Sequence, residues 1–250
     1  MYLKHNLIRK SLLALIILFL SISSVYAQTE QDYLKSGNAF YKQGEYDRAI
    51  ADFTKAIELT PNDVSAYTML GTSYLEQKNL TQALVAYNKV VELIPHDSRG
   101  YLNRGFVYGQ QGNFPQAVAD YNKAIELNPN DAEGYSSRGS LYYDHGNSAQ
   151  ALADLGIAIK LNPKDPESYL IRGIIYSKQG SSTQALVDLS RAIELNPNDV
   201  SAYIGRAKTY YYSLKDYGNA WADVHKVEGL GGTIDSDFLN SLKKDSGKDQ

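Results

Sequence analysis

Five prolines recur in this chain at a constant spacing of 34 residues, and the residues are Pro61, Pro95, Pro129, Pro163 and Pro197. Other rows keep the same spacing, including a tyrosine row from Tyr33 to Tyr203 and a glycine row from Gly37 to Gly173. A period of this length predicts a series of similar supersecondary units, each packed on its neighbours. The period therefore constrains the fold more than any other feature.

Each period contains two helical stripes. Tyr101, Gly105 and Tyr108 have the i, i+4, i+7 spacing of one helix face, and Ala117 and Tyr121 begin a second such stripe. We expect two antiparallel helices, with Gly105 facing Ala117 so that the backbones approach closely.

Turn residues mark the boundaries of these helices. Gln111-Gly112-Asn113 separates the two stripes, and Gly44, Gly146, Gly180 and Lys78-Asn79 stand at the equivalent places. Each proline ends a second helix. The aspartate two residues later is expected to cap the N-terminus of the next first helix. Pro166 and Pro115 suit first helical positions.

Taken together, these rows resemble the tetratricopeptide repeat (TPR) family. The resemblance implies an all-α fold, an α-solenoid of helix-turn-helix units of 34 residues. We place the repeats at 30–63, 64–97, 98–131, 132–165, 166–199 and 200–233. The sixth repeat departs from the pattern, with Ala207 in the glycine row and one extra residue within 214–219.

Both ends of the chain differ from the repeats. Residues 235–244 carry Phe238, Leu239 and Leu242 on one stripe, which predicts a helix that caps the stack. Residues 245–250 are polar and are expected to form a flexible tail.

Residues 1–27 combine an early basic cluster, the apolar run Leu12–Leu20 and a small residue at Ala27. This pattern predicts a signal peptide cleaved after Ala27, and hence a secreted or periplasmic protein. If it were not cleaved, this segment would be the only contact with a membrane.

Composition argues against several functions. The chain contains no cysteine, which excludes disulfides and thiol chemistry. Of its 25 Lys and Arg residues, three lie in the predicted signal segment, which leaves 22 against 28 Asp and Glu. A nucleic-acid partner is therefore not expected, because such binding depends on neutralising phosphates.

The residues that usually carry chemistry are scattered. His96, His145 and His225 occupy different repeat positions, and no metal-binding or catalytic spacing occurs. We predict no enzyme activity, no catalytic residues, no metal and no cofactor. An enzyme or small-ligand binder is the disfavoured alternative.

Charged residues also follow the period. Arginines at 104, 138, 172 and 206 recur with aspartates at 120, 154, 188 and 223, whereas the second repeat has Leu70 and Ala86 instead. The first repeat has only Asp52. This co-occurrence predicts an Arg–Asp ion pair inside each of repeats three to six, because a planar guanidinium fits a carboxylate well.

The resemblance also implies a binding site, since first helices line the concave side of TPR proteins and ligands lie there. The expected groove residues are Leu34, Asn38, Tyr41, Leu102, Phe106, Tyr143, Leu170, Ile174, Ile204 and Tyr211. We expect the strongest apolar patch at Leu102, Phe106, Leu170 and Ile174, the alternative being that these side chains pack against neighbouring helices.

The function that follows is a non-enzymatic scaffold, exported across a membrane, that holds a protein or peptide segment in this groove. The alternative is a soluble subunit of a bacterial envelope assembly that uses its convex face. Homo-oligomerisation is left open.

Overall fold

The structure is a computed structural model, and it describes residues 28–247. The predicted signal segment and the last three residues lie outside this range. Between residues 28 and 247 the chain forms α-helices joined by short turns, together with one π-helical turn and no strand. The predicted all-α fold is confirmed. None of the helices in this range has both the length and the apolar character needed to cross a bilayer.

Six helix pairs follow one another along the chain. They are α1 (Glu30–Lys42) with α2 (Tyr46–Leu59), α3 (Val64–Glu76) with α4 (Leu80–Leu93), α5 (Ser98–Gln110) with α6 (Phe114–Leu127), α7 (Ala132–Asp144) with α8 (Ser148–Leu161), α9 (Pro166–Lys178) with α10 (Ser182–Leu195), and α11 (Val200–Thr209) with α12 (Tyr217–Gly229). A last helix, α13 (Ser236–Ser246), follows the sixth pair.

The helices form two compact units. The N-terminal unit ends at Pro95 and contains α1–α4, and the C-terminal unit begins at His96 and contains α5–α13. Inside each unit, the two helices of a repeat pack on each other and the second helix packs on the next first helix. Successive first helices also contact one another: α5 contacts α7, α7 contacts α9, and α9 contacts α11. We call the surface that these first helices share the first-helix face of the unit.

The turns and caps are those that the sequence predicts. Asp165 accepts hydrogen bonds from the backbone N–H groups of Glu167 (3.3 Å) and Ser168 (3.2 Å), and Pro166 is the first residue of α9. Pro115, in contrast, is the second residue of α6. Gly112 adopts a left-handed conformation (φ +74°) between α5 and α6, and Lys78 does the same (φ +58°) between α3 and α4. A glycine at such a turn avoids the steric cost of a side chain.

The glycine row makes room for a large residue of the second helix. A Cβ atom on Gly105 would lie 3.0 Å from the ring of Tyr121 and 3.2 Å from the Cβ of Asp120. Ala117 is fully buried, as predicted, but the residue packed against Gly105 is Tyr121. The sequence did not predict this contact with Tyr121, and the facing of Gly105 and Ala117 stays a prediction. The same contact recurs in the pairs Gly37–Phe53, Gly71–Tyr87, Gly139–Leu155 and Gly173–Leu189.

All four predicted Arg–Asp pairs form. Arg104 donates from Nε to Asp120 Oδ2 (2.8 Å) and from Nη2 to Asp120 Oδ1 (2.7 Å). Equivalent two-bond pairs join Arg138 to Asp154, Arg172 to Asp188, and Arg206 to Asp223. The aspartates are buried, and their hydrogen bonds raise the pKa of each arginine further above its usual value. Each pair therefore joins the two helices of one repeat.

The sixth repeat absorbs its extra residue as a π-helical turn at Tyr210–Leu214. In the fifth repeat, the residue with left-handed backbone, Gly180, comes four positions after the aromatic-row residue Tyr176. In the sixth repeat, the equivalent residue Lys215 comes five positions after Tyr210. The extra residue was predicted within 214–219. The loop from Lys215 to Ala220 has the same length as the equivalent loop from Gly180 to Ala185. The loop therefore contains no extra residue, and the extra residue lies in the π turn that precedes it.

The helix predicted at the C-terminal end is α13, and it packs on the sixth repeat. Phe238 and Leu242 are buried with Ala207, Trp221 and Val224. The helix extends two residues beyond the predicted end. Within that extension, Asp245 accepts a hydrogen bond from the Tyr211 hydroxyl (2.6 Å) and Ser246 accepts one from the Trp221 indole N–H (3.1 Å). Residues 245 and 246 are thus part of the fold, and the prediction of a flexible tail is wrong for them.

Candidate peptide-binding face

The leucines predicted to line a groove are core residues instead. Leu102 is 5% exposed and Leu170 is 6% exposed, and Leu34 is buried as well. Leu102 packs with Ala117, Tyr121, Ala124 and Leu141. The expectation that Leu102 and Leu170 present apolar surface is wrong, because the contact between successive first helices encloses these positions.

Phe106 lies one helical turn after Leu102, on the same stripe of α5, and remains exposed. Its exposed fraction is 47%, which makes it the most exposed of the four residues in the predicted patch. Ile174, at the equivalent place in the fifth repeat, is partly buried against the cluster that contains Leu170 and Leu189. The structure therefore separates the predicted patch into a buried row and an accessible row.

The remaining predicted groove residues are half-buried or buried. Ile204 and Asn38 are half-buried. Tyr41 is half-buried and its hydroxyl donates to Glu76 (3.2 Å), whereas the hydroxyl of Tyr143 accepts from the ammonium group of Lys178 (2.9 Å). Tyr211 is buried against Phe238. The hydroxyl groups of Tyr41 and Tyr143 thus bond to side chains of the next first helix.

Each unit has a cleft along its first helices. In the N-terminal unit the cleft has a volume of about 510 Å³ and is lined by Gln31, Leu34, Lys35, Asn38, Ala39, Lys42 and Ser65. In the C-terminal unit a cleft of about 320 Å³ lies between α9 and α11. We call it the α9/α11 cleft, and its lining residues are Ile174, Ser177, Lys178, Gly205, Lys208 and Tyr212.

The α9/α11 cleft combines an apolar floor, an exposed aromatic ring and two cations. Tyr212 is 57% exposed, and its ring lies beside those of Tyr211 (centroids 4.7 Å apart) and Phe238 (6.0 Å). The ammonium group of Lys178 lies 4.8 Å from the centroid of the Tyr143 ring, and that of Lys208 lies 5.8 Å from the Phe238 ring. Across residues 28–247, neither lysine forms an ion pair within 4.0 Å.

Two of the three histidines within residues 28–247 have structural contacts. Nδ1 of His145 lies 3.0 Å from the carbonyl oxygen of Leu141, and its ring lies beside that of Phe114. His225 stacks on Trp221. In the described part of the chain, no three His, Cys, Asp or Glu residues are grouped so that they could hold a metal ion.

Sequence reasoning missed Lys178 and Gly205 as cleft residues. A signal was present for Gly205, because the equivalent positions of the other repeats all carry a side chain, as Lys35, Met69, Asn103, Ser137 and Ile171. No comparable signal existed for Lys178, since its row is polar in most repeats. In the N-terminal unit, Lys42 belongs to the same row as Lys178 and was missed for the same reason, and Lys35 was missed as well.

Comparisons with known proteins agree with this architecture. A family model described as TPR repeat matches residues 37–78, 71–112, 108–146, 139–180 and 173–213. No protein of curated function matches the chain significantly.

Solved structures with a similar fold come from several sources. A tetratricopeptide repeat protein from Parabacteroides merdae has 23% identity and a TM-score of 0.68, over 89% of this chain and 88% of that one. PilF from Pseudomonas aeruginosa has 17% identity and a TM-score of 0.71, over 80% and 91%. YrrB, described as a TPR protein with an unusual peptide-binding site, has 24% identity and a TM-score of 0.55, over 71% and 91%. Identities this low show a shared fold alone.

Proposed function

Because the chain belongs to the tetratricopeptide repeat family, we propose that it is a non-enzymatic scaffold that binds a segment of a partner protein on the first-helix face of its C-terminal unit. TPR folds generally serve as interaction scaffolds. The observation that carries the proposal is the exposure of Phe106 on this face, directly beside the buried Leu102. The peptide-binding site named for YrrB supports a peptide as the partner.

Phe106 has the properties of a binding anchor. An aromatic ring buries a large apolar area when a partner covers it, and a few such residues usually carry most of the binding energy at an interface. Leu102, one helical turn before Phe106, belongs with Tyr121 to the packed core of the third repeat. A partner segment would therefore meet a ring on a rigid helix, and little conformational entropy would be lost on binding.

Peptide selection with matched variants tests this proposal. A random peptide library is selected on residues 28–250, and the affinity of each selected peptide is measured for the wild type, Phe106→Ala and Val187→Ala. Val187 is the control because it is also exposed (64%) but lies on the second helix α10. Truncation of an anchor costs about 2 kcal/mol, so we expect Phe106→Ala to weaken binding roughly thirtyfold. Val187→Ala should bind like the wild type.

A partner that docks on the second helices would give the opposite dependence on these two variants. Val187 and Ile157 are exposed apolar residues on second helices, and they favour an assembly partner that docks on that face. If selected peptides lost affinity with Val187→Ala and kept it with Phe106→Ala, the first-helix face would not be the binding surface. Thermal melts of both variants should match the wild type, because neither side chain is in the core.

We further propose that the protein is exported, with residues 1–27 removed. The basis is the sequence pattern of a short apolar run between a basic start and Ala27. The intact mass of protein recovered from its native source tests this proposal directly. A mass that begins at Gln28 is expected, and a mass that retains residues 1–27 would overturn it.

A further inference from the structure

Three departures from the repeat pattern coincide at the α9/α11 cleft. The first is Gly205, which lines the cleft at a position where the other repeats carry a side chain. A Cβ atom on Gly205 would lie 3.0 Å from Cδ2 of Leu189 and 3.6 Å from Cγ1 of Ile174. Gly205 therefore lets Leu189 pack closely against α11, and it adds no side chain to the wall of the cleft.

The second departure is the π-helical turn at Tyr210–Leu214. It places Tyr211 in the core and leaves Tyr212 exposed at the cleft. The Tyr212 ring is supported from two sides, by Tyr211 and Phe238. π turns inside helices often occur at functional sites, and this one supplies an aromatic wall for the cleft.

The third departure is the charge of the cleft. Lys208 occupies a repeat position that is uncharged in the other repeats. The equivalent residues there are Asn38, Thr72, Phe106, Ser140 and Ile174. Lys178 lies on the neighbouring helix α9, and its ammonium group is held by the hydroxyl of Tyr143. The pKa of Asp235 is lowered mainly by hydrogen bonds from the backbone N–H groups of Phe238 and Asp237, and to a smaller extent by the charge of Lys208. Two ammonium groups thus line one small cleft, each without an ion-pair partner within residues 28–247.

We propose that the α9/α11 cleft selects, within the partner segment, an acidic side chain next to an aliphatic residue. The carboxylate would lie between Lys178 and Lys208, and the aliphatic side chain would lie on Ile174 beside Tyr212. At about 320 Å³ the cleft is at the lower end of ligand-site volumes. It therefore suits one or two side chains of a longer segment. This inference rests on the proposed function and names the chemistry of its partner.

An internal acidic residue fits this site better than a chain terminus. One recurring way to capture a terminal carboxylate is a nest of backbone N–H groups. The cleft offers instead two lysines on flexible stems, which act as mobile point charges. Such charges tolerate variation in the position of a Glu or Asp side chain.

The test uses a random library of peptides that are acetylated and amidated, so that no terminal charge is present. We expect selection on residues 28–250 to enrich Asp or Glu beside Leu, Ile or Val. Two exposed ion pairs together contribute modestly, so Lys178→Met/Lys208→Met should weaken binding roughly tenfold. Lys178→Arg/Lys208→Arg, which keeps the charge, should retain most of the affinity. Lys160→Met, an exposed lysine of the second helix α8, is the matched control.

A second measurement replaces the acidic residue of a selected peptide by its amide, Gln or Asn. Affinity should fall about as much as it does for the double lysine variant, and combining both changes should add little. Affinity should also fall as salt is raised from about 0.05 to about 0.5 M, because the pairs are partly exposed.

The outcomes separate this inference from the proposed function. If peptides bind and depend on Phe106 but show no acidic preference, the inference is overturned and the proposed function stands. If the amidated library yields no binder but a library with free C-termini does, the assignment to an internal acidic residue is wrong. If neither library yields a peptide that binds, both proposals fail.

Discussion

Single residues show how the repeats are held together and where the pattern is incomplete. In repeats three to six, a buried aspartate is paired with an arginine of the same repeat. In the second repeat, Leu70 and Ala86 take both places and pack as apolar residues. The first repeat keeps only Asp52, and among the described residues its Oδ2 atom is the buried side-chain oxygen without a hydrogen bond. The second repeat indicates that the pair is replaceable as a whole.

A comparison of a single and a double variant at Arg172 and Asp188 tests whether the pair can be replaced as a whole. Arg172→Leu leaves the carboxylate of Asp188 buried without its partner, which should cost about 3 kcal/mol in the free energy of unfolding. Arg172→Leu/Asp188→Ala reproduces the second repeat and should recover most of that loss. Urea unfolding at neutral pH measures both values. A double variant as unstable as Arg172→Leu would show that the guanidinium packs in a way that the second repeat does not mimic.

Residue patterns predicted some contacts and not others. The Arg–Asp pairs could be predicted because the two residue types appear and disappear together along the chain. The burial of Leu102 could not, because it depends on how closely α5 and α7 approach. The contact of Tyr121 with Gly105 could not be predicted either, since the stripe places Ala117 and Tyr121 on one face of α6 and does not say how closely each approaches the glycine.

At the scale of elements, the period predicted the helices and their caps but not the two irregular features. One extra residue in the sixth repeat could be counted, but its place depends on the cost of a π turn against that of a longer loop. The structure keeps the loop length and puts the residue in the helix. The end of α13 is likewise set by contacts from distant residues, Tyr211 and Trp221, which no local pattern shows.

These irregular elements matter for the site. The π turn exposes Tyr212, and α13 brings Phe238 against it. An ideal sixth repeat would have neither feature. The candidate site thus lies where the sequence leaves the repeat pattern. The family resemblance placed Ile174 in the expected groove, but it did not predict Lys178 and Gly205 as cleft residues.

At the scale of the whole molecule, the regular rows determine the fold and the irregular positions supply the chemistry. The buried rows are shared by most repeats, whereas Phe106, Lys208 and Tyr212 each occur once in their rows. All three lie in the C-terminal unit. A partner segment that contacts these three residues would bind this chain in preference to other TPR proteins, even where the buried cores of those proteins are similar.

The central claim is that the first-helix face of the C-terminal unit is the partner-binding surface. Photo-crosslinking in the native source tests it most directly, with a photoreactive phenylalanine analogue placed at position 106 in one variant and at position 187 in another. Both positions are exposed, and they lie on a first and a second helix respectively. A specific protein should be crosslinked from position 106 and not from position 187. Crosslinking of a specific protein from position 187 alone would contradict it.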